Sequence, residues 1–406
     1  MFREAATLEF VGRRGRLSAG ALLLSLLVGC GGGARQDSST QASLTADSHA
    51  GAPPAEGTVT PFATGLNNPR GLKFGPDGAL YVAEGGVGGT DPAPKTEDCT
   101  VPPPVGPYTG STVGSRILRF DRHGHRTTVV DNLPSSQTSA KSGNLVSGVA
   151  DVAFLDGKLY AILASAGCSH GVPSIPNGVI RVHHDGSWSL VADLGAFQRT
   201  HPVAHREPDD FEPDGTWYSM LAVDGALYAV EPNHGEIDRI GPGGHVSRLI
   251  DVSASQGHVV PTVLAFHRGN FYFGNLGIFP QAPGSSKVWK VTPGGKISVV
   301  ATGFNMVLGL TFDRRGRMYV LQSSQAPAPT GGTGSIVRIN RDGTRETLTS
   351  GLSLASGMTL GPDGDLYVSN LGFGPPPVGL GEILRVHLRH ERHHGDDDED
   401  EDEQDD

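Results

Sequence analysis

The chain repeats itself, and the repeat decides what it can fold into. A turn followed by a strand, Gly75-Pro-Asp-Gly-Ala-Leu-Tyr-Val82, returns as Leu155-Asp-Gly-Lys-Leu-Tyr-Ala161 and Val223-Asp-Gly-Ala-Leu-Tyr-Ala229. It returns again as His267-Arg-Gly-Asn-Phe-Tyr-Phe273, Asp313-Arg-Arg-Gly-Arg-Met-Tyr-Val320 and Gly361-Pro-Asp-Gly-Asp-Leu-Tyr-Val368. The aligned positions Leu80, Leu159, Leu227, Phe271, Met318 and Leu366 are 79, 68, 44, 47 and 48 residues apart. The last three intervals match a four-stranded propeller blade of ~40–50 residues. The first two are the same unit enlarged by loop insertions.

Each copy has a second half, such as Ser115-Arg-Ile-Leu-Arg-Phe-Asp-Arg-His-Gly124 or Ser335-Ile-Val-Arg-Ile-Asn-Arg-Asp-Gly343. Apolar and polar residues alternate there with the period of a strand, and Asp-Gly or Gly-Gly sits where a hairpin turn needs positive φ. Each unit therefore reads as strand a, turn, strand b, loop, strand c, turn, strand d. The sixth copy stops after strand c. Its missing strand is found at the other end, where Thr58-Val-Thr-Pro-Phe-Ala-Thr-Gly-Leu66 resembles the fourth strands Ile297–Phe304 and Glu346–Leu352. The expected fold is all-β, a six-bladed β-propeller closed by an N-terminal strand completing the last blade, which leaves no broad sheet edge exposed. An array of β-sandwiches would not account for the displaced strand. The 58 Gly and 29 Pro, against 26 aromatic residues, suit many short strands joined by turns.

The ends carry other signals. Arg13, Arg14 and Arg16 precede the apolar stretch Ala21–Val28, which is far shorter than the ~20 residues a membrane span needs. It ends Leu27-Val28-Gly29-Cys30, like a bacterial lipobox whose cysteine is lipidated. The expected layout is a signal peptide over 1–29 and a lipidated Cys30 with a flexible tether over 30–56. The propeller follows over 57–390, and a disordered acidic tail over 391–406. A Gly/Ser/Thr-rich tether of that length reaches roughly 30 Å. The expected location is exported and membrane-anchored, in the outer membrane or periplasm or on the cell surface, with Gly31 favouring an outer membrane. Formal charge is −11, but Asp396–Asp406 holds ten acids and no base, so the remainder is near −11 + 10 = −1. That excludes the basic footprint of a nucleic-acid binder. His390, His393 and His394 precede the acid run as weak transition-metal candidates or a solvated segment.

Every long insertion falls on one face of such a ring: 85–114, 164–177, 276–286, 323–334 and 371–381 follow strand b, and 196–218 joins d to a on the same side. The opposite face has only tight turns, so a ligand site belongs on the looped face. Four residues after each aligned position stand Glu84, Leu163, Glu231, Asn275, Gln322 and Asn370, with Asn233 just beyond Glu231. Five oxygen-bearing side chains at one level, plus Asn233, form a candidate ligand-binding ring around a central channel. Glu84, Glu231, Asn233, Asn275 and Asn370 are candidate ligands for Ca2+, which takes 6–8 oxygens. The alternative is that they hydrogen-bond neighbouring blades. In Thr200–Asp214, His201 and His205 stand among five acids, as a proton shuttle or as part of a solvated acidic loop. With Cys30 lipidated, Cys99 and Cys168 are the remaining pair, in strand-b loops of neighbouring blades, and export permits oxidation. A disulfide clamping those loops is expected, against two free thiols.

The copies resemble the NHL and gluconolactonase-type six-bladed propellers in the broad sense. More narrowly the chain resembles the ScyD/ScyE family. Pro61-Phe-Ala-Thr-Gly-Leu-Asn-Asn-Pro-Arg-Gly-Leu72, Tyr81-Val-Ala-Glu-Gly-Gly86, the Cys99 loop before Gly114-Ser-Arg-Ile117, Asp209-Asp-Phe-Glu-Pro-Asp-Gly-Thr-Trp-Tyr-Ser219 and Gly303–Leu310 carry the likeness. It implies a secreted propeller and no particular reaction, since fold does not fix function. The expectation is a membrane-tethered binding or scaffold module, rather than an enzyme, whose looped face holds a small ligand or a protein. The alternative is a Ca2+-dependent hydrolase or lactonase at the oxygen ring.

Overall fold

Turn chemistry builds the blades. In Gly75–Ala79, Gly78 takes φ 73°, a conformation that favours glycine, and Asp77 Oδ1 accepts the Ala79 N–H at 3.2 Å. The other oxygen of Asp77 accepts the Tyr81 hydroxyl at 3.2 Å and pairs with Arg119 from strand c at 2.8 Å. Asp363, Tyr367 and Arg385 repeat the arrangement, with the Tyr367 hydroxyl 2.8 Å from Asp363. The recurrent Asp-Gly, Tyr and strand-c Arg are thus one clamp, tying the a–b turn to strand c.

The computed structural model describes residues 55–206, 212–372 and 379–389. Its strands make six antiparallel sheets, one per repeat. In the third blade Ser219–Val223, Ala226–Glu231, Glu236–Ile240 and Val246–Asp251 pair in sequence order. In the first, Leu80–Glu84 pairs directly with Thr109–Phe120 across the 85–108 insertion. In the sixth, Gly357–Leu360, Leu366–Asn370 and Gly381–Val386 receive Val59–Leu66 as their fourth strand. The displaced strand thus completes the last blade as expected, with a register that runs from Val59 opposite Val386 to Leu66 opposite Gly381. Gly57 N–H donates to the His387 carbonyl at 2.7 Å, and His387 N–H donates to Thr58 O at 2.9 Å, so the latch is hydrogen-bonded at its base.

The core lies between blades. Ile117 and Leu133 of blade 1 pack with Val152 and Leu163 of blade 2, all fully buried. Each such side chain contributes about 1.5–3 kcal/mol by leaving water. Strands a stand innermost and approach closely. A Cβ on Gly357 would lie 2.6 Å from the Arg70 carbonyl oxygen, which explains a glycine there. Among the described residues no helix is long and apolar enough to cross a membrane. Cys30, the leader and tether to residue 54, His390, His393, His394 and the acidic tail lie outside the described residues.

Candidate functional site

The oxygen ring is a set of clips. Glu84 Oε1 accepts the N–H of Asn67 at 2.8 Å, and Glu231 Oε1 that of Thr216 at 2.9 Å. Gln322 Oε1 accepts Asn305 N–H and Asn370 Oδ1 accepts Ser353 N–H, both at 2.8 Å. Asn275 works through its amide, donating to Val259 O at 2.8 Å while accepting Lys287 N–H at 2.7 Å. Each side chain fastens the end of strand b to the d-to-a connection that leads into its own blade. The remaining polar atoms are engaged too. Arg116 pairs with Glu84, His234 N–H reaches Glu231 at 2.6 Å, and Asn370 Nδ2 donates to Glu382 at 2.8 Å. Half-buried Asn233 stands outside this set. Of the two readings open at the sequence level, hydrogen bonding within the scaffold is the one the contacts favour. A hard cation needs converging free oxygens, and the oxygens of Glu84, Glu231, Asn275 and Asn370 already accept hydrogen bonds, one blade at a time, so Ca2+ would have to compete with those bonds. Among the described residues no three Asp, Glu, His or Cys side chains group as metal ligands.

Nor is the axis an open channel. The Tyr218 hydroxyl, from blade 3, donates to the Ser356 carbonyl of blade 6 at 2.9 Å, and these blades face each other across the ring. The Arg70 guanidinium of blade 1 lies 5.9 Å from the Tyr218 ring centroid and donates to the Val146 carbonyl. This crossbar sits where strands a begin, at the looped end. Near it is a cavity of about 20 Å3 bounded by Lys73, Asp151, Tyr218, Ser219, Val263 and Met358, among others. That is room for about one water and too little for a metabolite. Burial pushes the Asp151 carboxyl up, although Lys73 and the N–H groups of Met220 and Val152 oppose this.

The looped face is where separate blades meet. Cys99 and Cys168 are disulfide-bonded, Cα to Cα 5.3 Å, joining the insertions of blades 1 and 2 as expected. Around the bridge, Ser169 N–H donates to Asp214 Oδ2 at 2.7 Å, and Arg199 reaches Asp214 Oδ1 at 2.8 Å. The Tyr108 hydroxyl donates to Glu212 Oε1 at 2.6 Å, and its ring lies 4.6 Å from that of His170. Three insertions, 85–114, 164–177 and 196–218, thus form one plate. Asp214 and Glu212 are buried, so the solvated acidic loop expected over Thr200–Asp214 is corrected at those two positions. His201 and His205 are exposed: His201 stacks on Phe197 at 4.4 Å, and the His205 N–H donates to Ser253.

Beneath the plate lies a dense group of buried acids. Burial works against the His234 imidazolium, but the carboxylates of Glu231, Glu236 and Glu212 more than offset it, and His234 is raised. Burial also opposes the Glu231 carboxylate, yet His234 and two backbone N–H groups hold it below the usual range. Asp238 is raised well above the usual range by burial and then by Glu236, although Trp217 Nε1 donates to it at 3.1 Å. His170 Nε2 and Glu212 Oε2 face each other at 3.5 Å, and neither makes a hydrogen bond to a described residue.

Tyr218, Arg70, Tyr108, His170 and Glu212 were not singled out from the sequence as site residues. A signal existed for three of them. Arg70 lies in the Pro61–Leu72 stretch, and Glu212 and Tyr218 lie in Asp209–Ser219, both among the segments that carry the family likeness.

No protein-family model matches the chain, and no curated protein does. Solved structures match in fold. One is a structural genomics protein of unknown function from Bacteroides thetaiotaomicron, 12% identical, TM-score 0.50, covering 80% of this chain and 74% of that one. Another is a putative oxidoreductase (glucose dehydrogenase) from Thermus thermophilus, 19% identical, TM-score 0.48, covering 81% of this chain and 99% of that one. A third is a gluconolactonase of Xanthomonas campestris, 13% identical, TM-score 0.47, covering 81% and 89%. At these identities the likeness bears on the fold alone.

Proposed function

We propose that this chain is an exported, lipid-tethered propeller of the ScyD/ScyE type that works as a binding module through its looped face. One observation carries the reading: three insertions from different blades are fastened by Cys99–Cys168 and the Tyr108–Glu212 and Ser169–Asp214 bonds into one preorganised surface. A surface held in its bound shape loses less entropy on association. The looped face also holds the exposed apolar side chains Val87, Val113, Ile278, Phe279 and Leu380, which suit a partner of protein kind. The blocked axis and the occupied oxygen ring support binding over hydrolysis.

Photo-crosslinking residues at Val113 and Ile278, compared with the exposed Asp185 on the turn face of blade 2, test this in intact cells. The reading expects discrete adducts from the first two positions and none from the third. Adducts from all three alike, or from Asp185 alone, overturn it. The tether is tested separately: Cys30→Ser should abolish incorporation of a fatty-acid label and release the protein from membranes.

A further inference from the structure

The turn face carries a feature that the repeat does not require. Arg315, Arg317, Asn340, Arg341 and Asp342 of blade 5 line an open concavity of about 560 Å3. Arg314 is exposed in the same turn, and Arg268 of blade 4 is a charge neighbour of His267, as Arg341 is. Five arginines therefore gather at two neighbouring blades. Two acids temper them. Asp313 is paired with Arg317 at 2.5 Å, and Asp342 is engaged by Thr344 at 2.6 Å. The a–b turns of blades 1 and 6 use one strand-c arginine each, Arg119 and Arg385, so the arginines at the turns of blade 5 outnumber those of its siblings.

The chain itself supplies the complementary charge on the same face. Strand c of blade 6 ends at Val386, and Leu388 N–H donates to Asp365 Oδ1 at 2.8 Å, in the a–b turn. Arg389 therefore leaves the ring among the turns, beside blade 5. Residues 55–57 mark the closeness of the two blades, since Glu56 pairs with Arg338 of blade 5 at 2.5 Å. Seventeen residues follow Arg389, among them the ten acids of Asp396–Asp406. An extended chain of that length reaches roughly 55 Å, ample for an adjacent turn. We propose that the acidic segment Asp396–Asp406 docks on the Arg268/Arg315/Arg317/Arg341 surface of its own chain. Docking covers this basic patch and keeps it from other polyanions, while the looped face on the opposite side stays open.

His267 reports on the patch. Its ring stacks on Phe312 at 4.5 Å. Burial and then the Arg268 charge lower its pKa, Arg341 adds to this, and Asp313 opposes it. Carboxylates seated on the arginines would neutralise that repulsion, so His267 would titrate higher. The test compares the full chain with a full-length variant whose ten tail acids are Asn or Gln, following the His267 ring proton by NMR, with His267→Gln to assign it. At low ionic strength the native chain should titrate about half a pH unit higher. The gap should close in ~1 M salt, where the screening length is about 3 Å. Identical titrations at low salt overturn the proposal. So does a gap that grows with protein concentration, which would assign the tail to a second copy. A third overturning result is no difference between the chains while phosphatidylglycerol vesicles raise His267 in both, which would give the patch to a lipid surface.

Discussion

The two faces of the ring are cut from the same strands and solve their polar chemistry in opposite ways. On the turn face the repeated a–b clamps are closed within a blade: Asp77, Tyr81 and Arg119 close one turn, and Asp363, Tyr367 and Arg385 close another. On the looped face the insertions satisfy one another across blades, with Tyr108 and Ser169 reaching Glu212 and Asp214 of a third insertion. The first kind of chemistry is copied with the repeat and makes the scaffold. The second exists only once and makes a particular surface. A change on the turn face should therefore cost stability locally, whereas a change on the looped face should loosen several blades' loops together.

The sharpest break of this comparison is at the latch, on which both faces depend. Removing residues 1–66 leaves Gly381–Val386 an open edge and uncovers the Ile383 and Tyr367 cluster that Leu66 and Ala63 bury. The expected outcome is loss of a cooperative calorimetric transition, far beyond the roughly 2–5 kcal/mol of a single buried Leu66→Ala. A permuted chain in which residues 55–66 follow Leu388 should recover most of the melting temperature. If the truncated chain melts as the native one does, the ring does not depend on its displaced strand.

Next in size is the plate. The bridge joins cysteines 69 residues apart. Cys99→Ser with Cys168→Ser should cost about 4 kcal/mol if loop entropy is the main term. Hydrogen exchange should rise at residues 97–110, 164–172 and 212–216 together and leave the a–b turns unchanged. Exchange confined to the first two segments would mean that the third insertion is held independently and that the plate is two pieces.

These two features also mark how far the sequence could be read. The displaced strand was legible because Val59–Leu66 kept the strand-d pattern of its siblings, and the bridge because Cys99 and Cys168 fell in adjacent loops. The Tyr218–Ser356 crossbar was not, since no local pattern tells that residues 138 apart face each other across a closed ring. The oxygen ring was legible as a ring but not in its role. Period two places Glu84 or Gln322 at a strand end, yet which N–H it accepts depends on the path of a connection 17 residues upstream. Glu212 was hidden for a third reason: its partners Tyr108 and His170 come from two other insertions, and acid-rich sequence by itself reads as solvated.

A smaller effect separates the buried acids from the exposed clamps by pH. Asp238 is raised in the folded protein, so the native state holds a proton that the unfolded chain releases near pH ~4. The unfolded state then binds fewer protons, and stability falls as pH rises from that point until Asp238 itself ionises. His234, also raised, adds stability that is full below its unfolded pKa near 6.5 and is lost as pH climbs through the higher folded value. Melting temperature should therefore decline with rising pH from about pH 4 through Asp238, with a further decline above about pH 6.5 through His234. Asp238→Asn, which keeps an acceptor for Trp217, should flatten part of that decline. Asp77→Asn should not, because Asp77 is lowered by its turn partners and Arg119 against the penalty of burial, and its stability is lost only towards acid. Equal slopes in the native protein and Asp238→Asn would remove the acid from this account.

The smallest expected effect decides between binding and hydrolysis. Adding about 10 mM Ca2+, roughly a thousandfold above the dissociation constant of a good sensor site, stabilises a specific site by about 4 kcal/mol. The oxygens of Glu84, Glu231, Gln322 and Asn370 already hold backbone N–H groups, so binding there would have to break those bonds first. The melting temperature should stay within about one degree, and Glu231→Gln should respond no differently. A rise of several degrees that Glu231→Gln abolishes would mean that the clips open to a cation. The oxygen ring, rather than the bridged plate, would then be the place to look for chemistry, beginning with turnover of a lactone and ester panel.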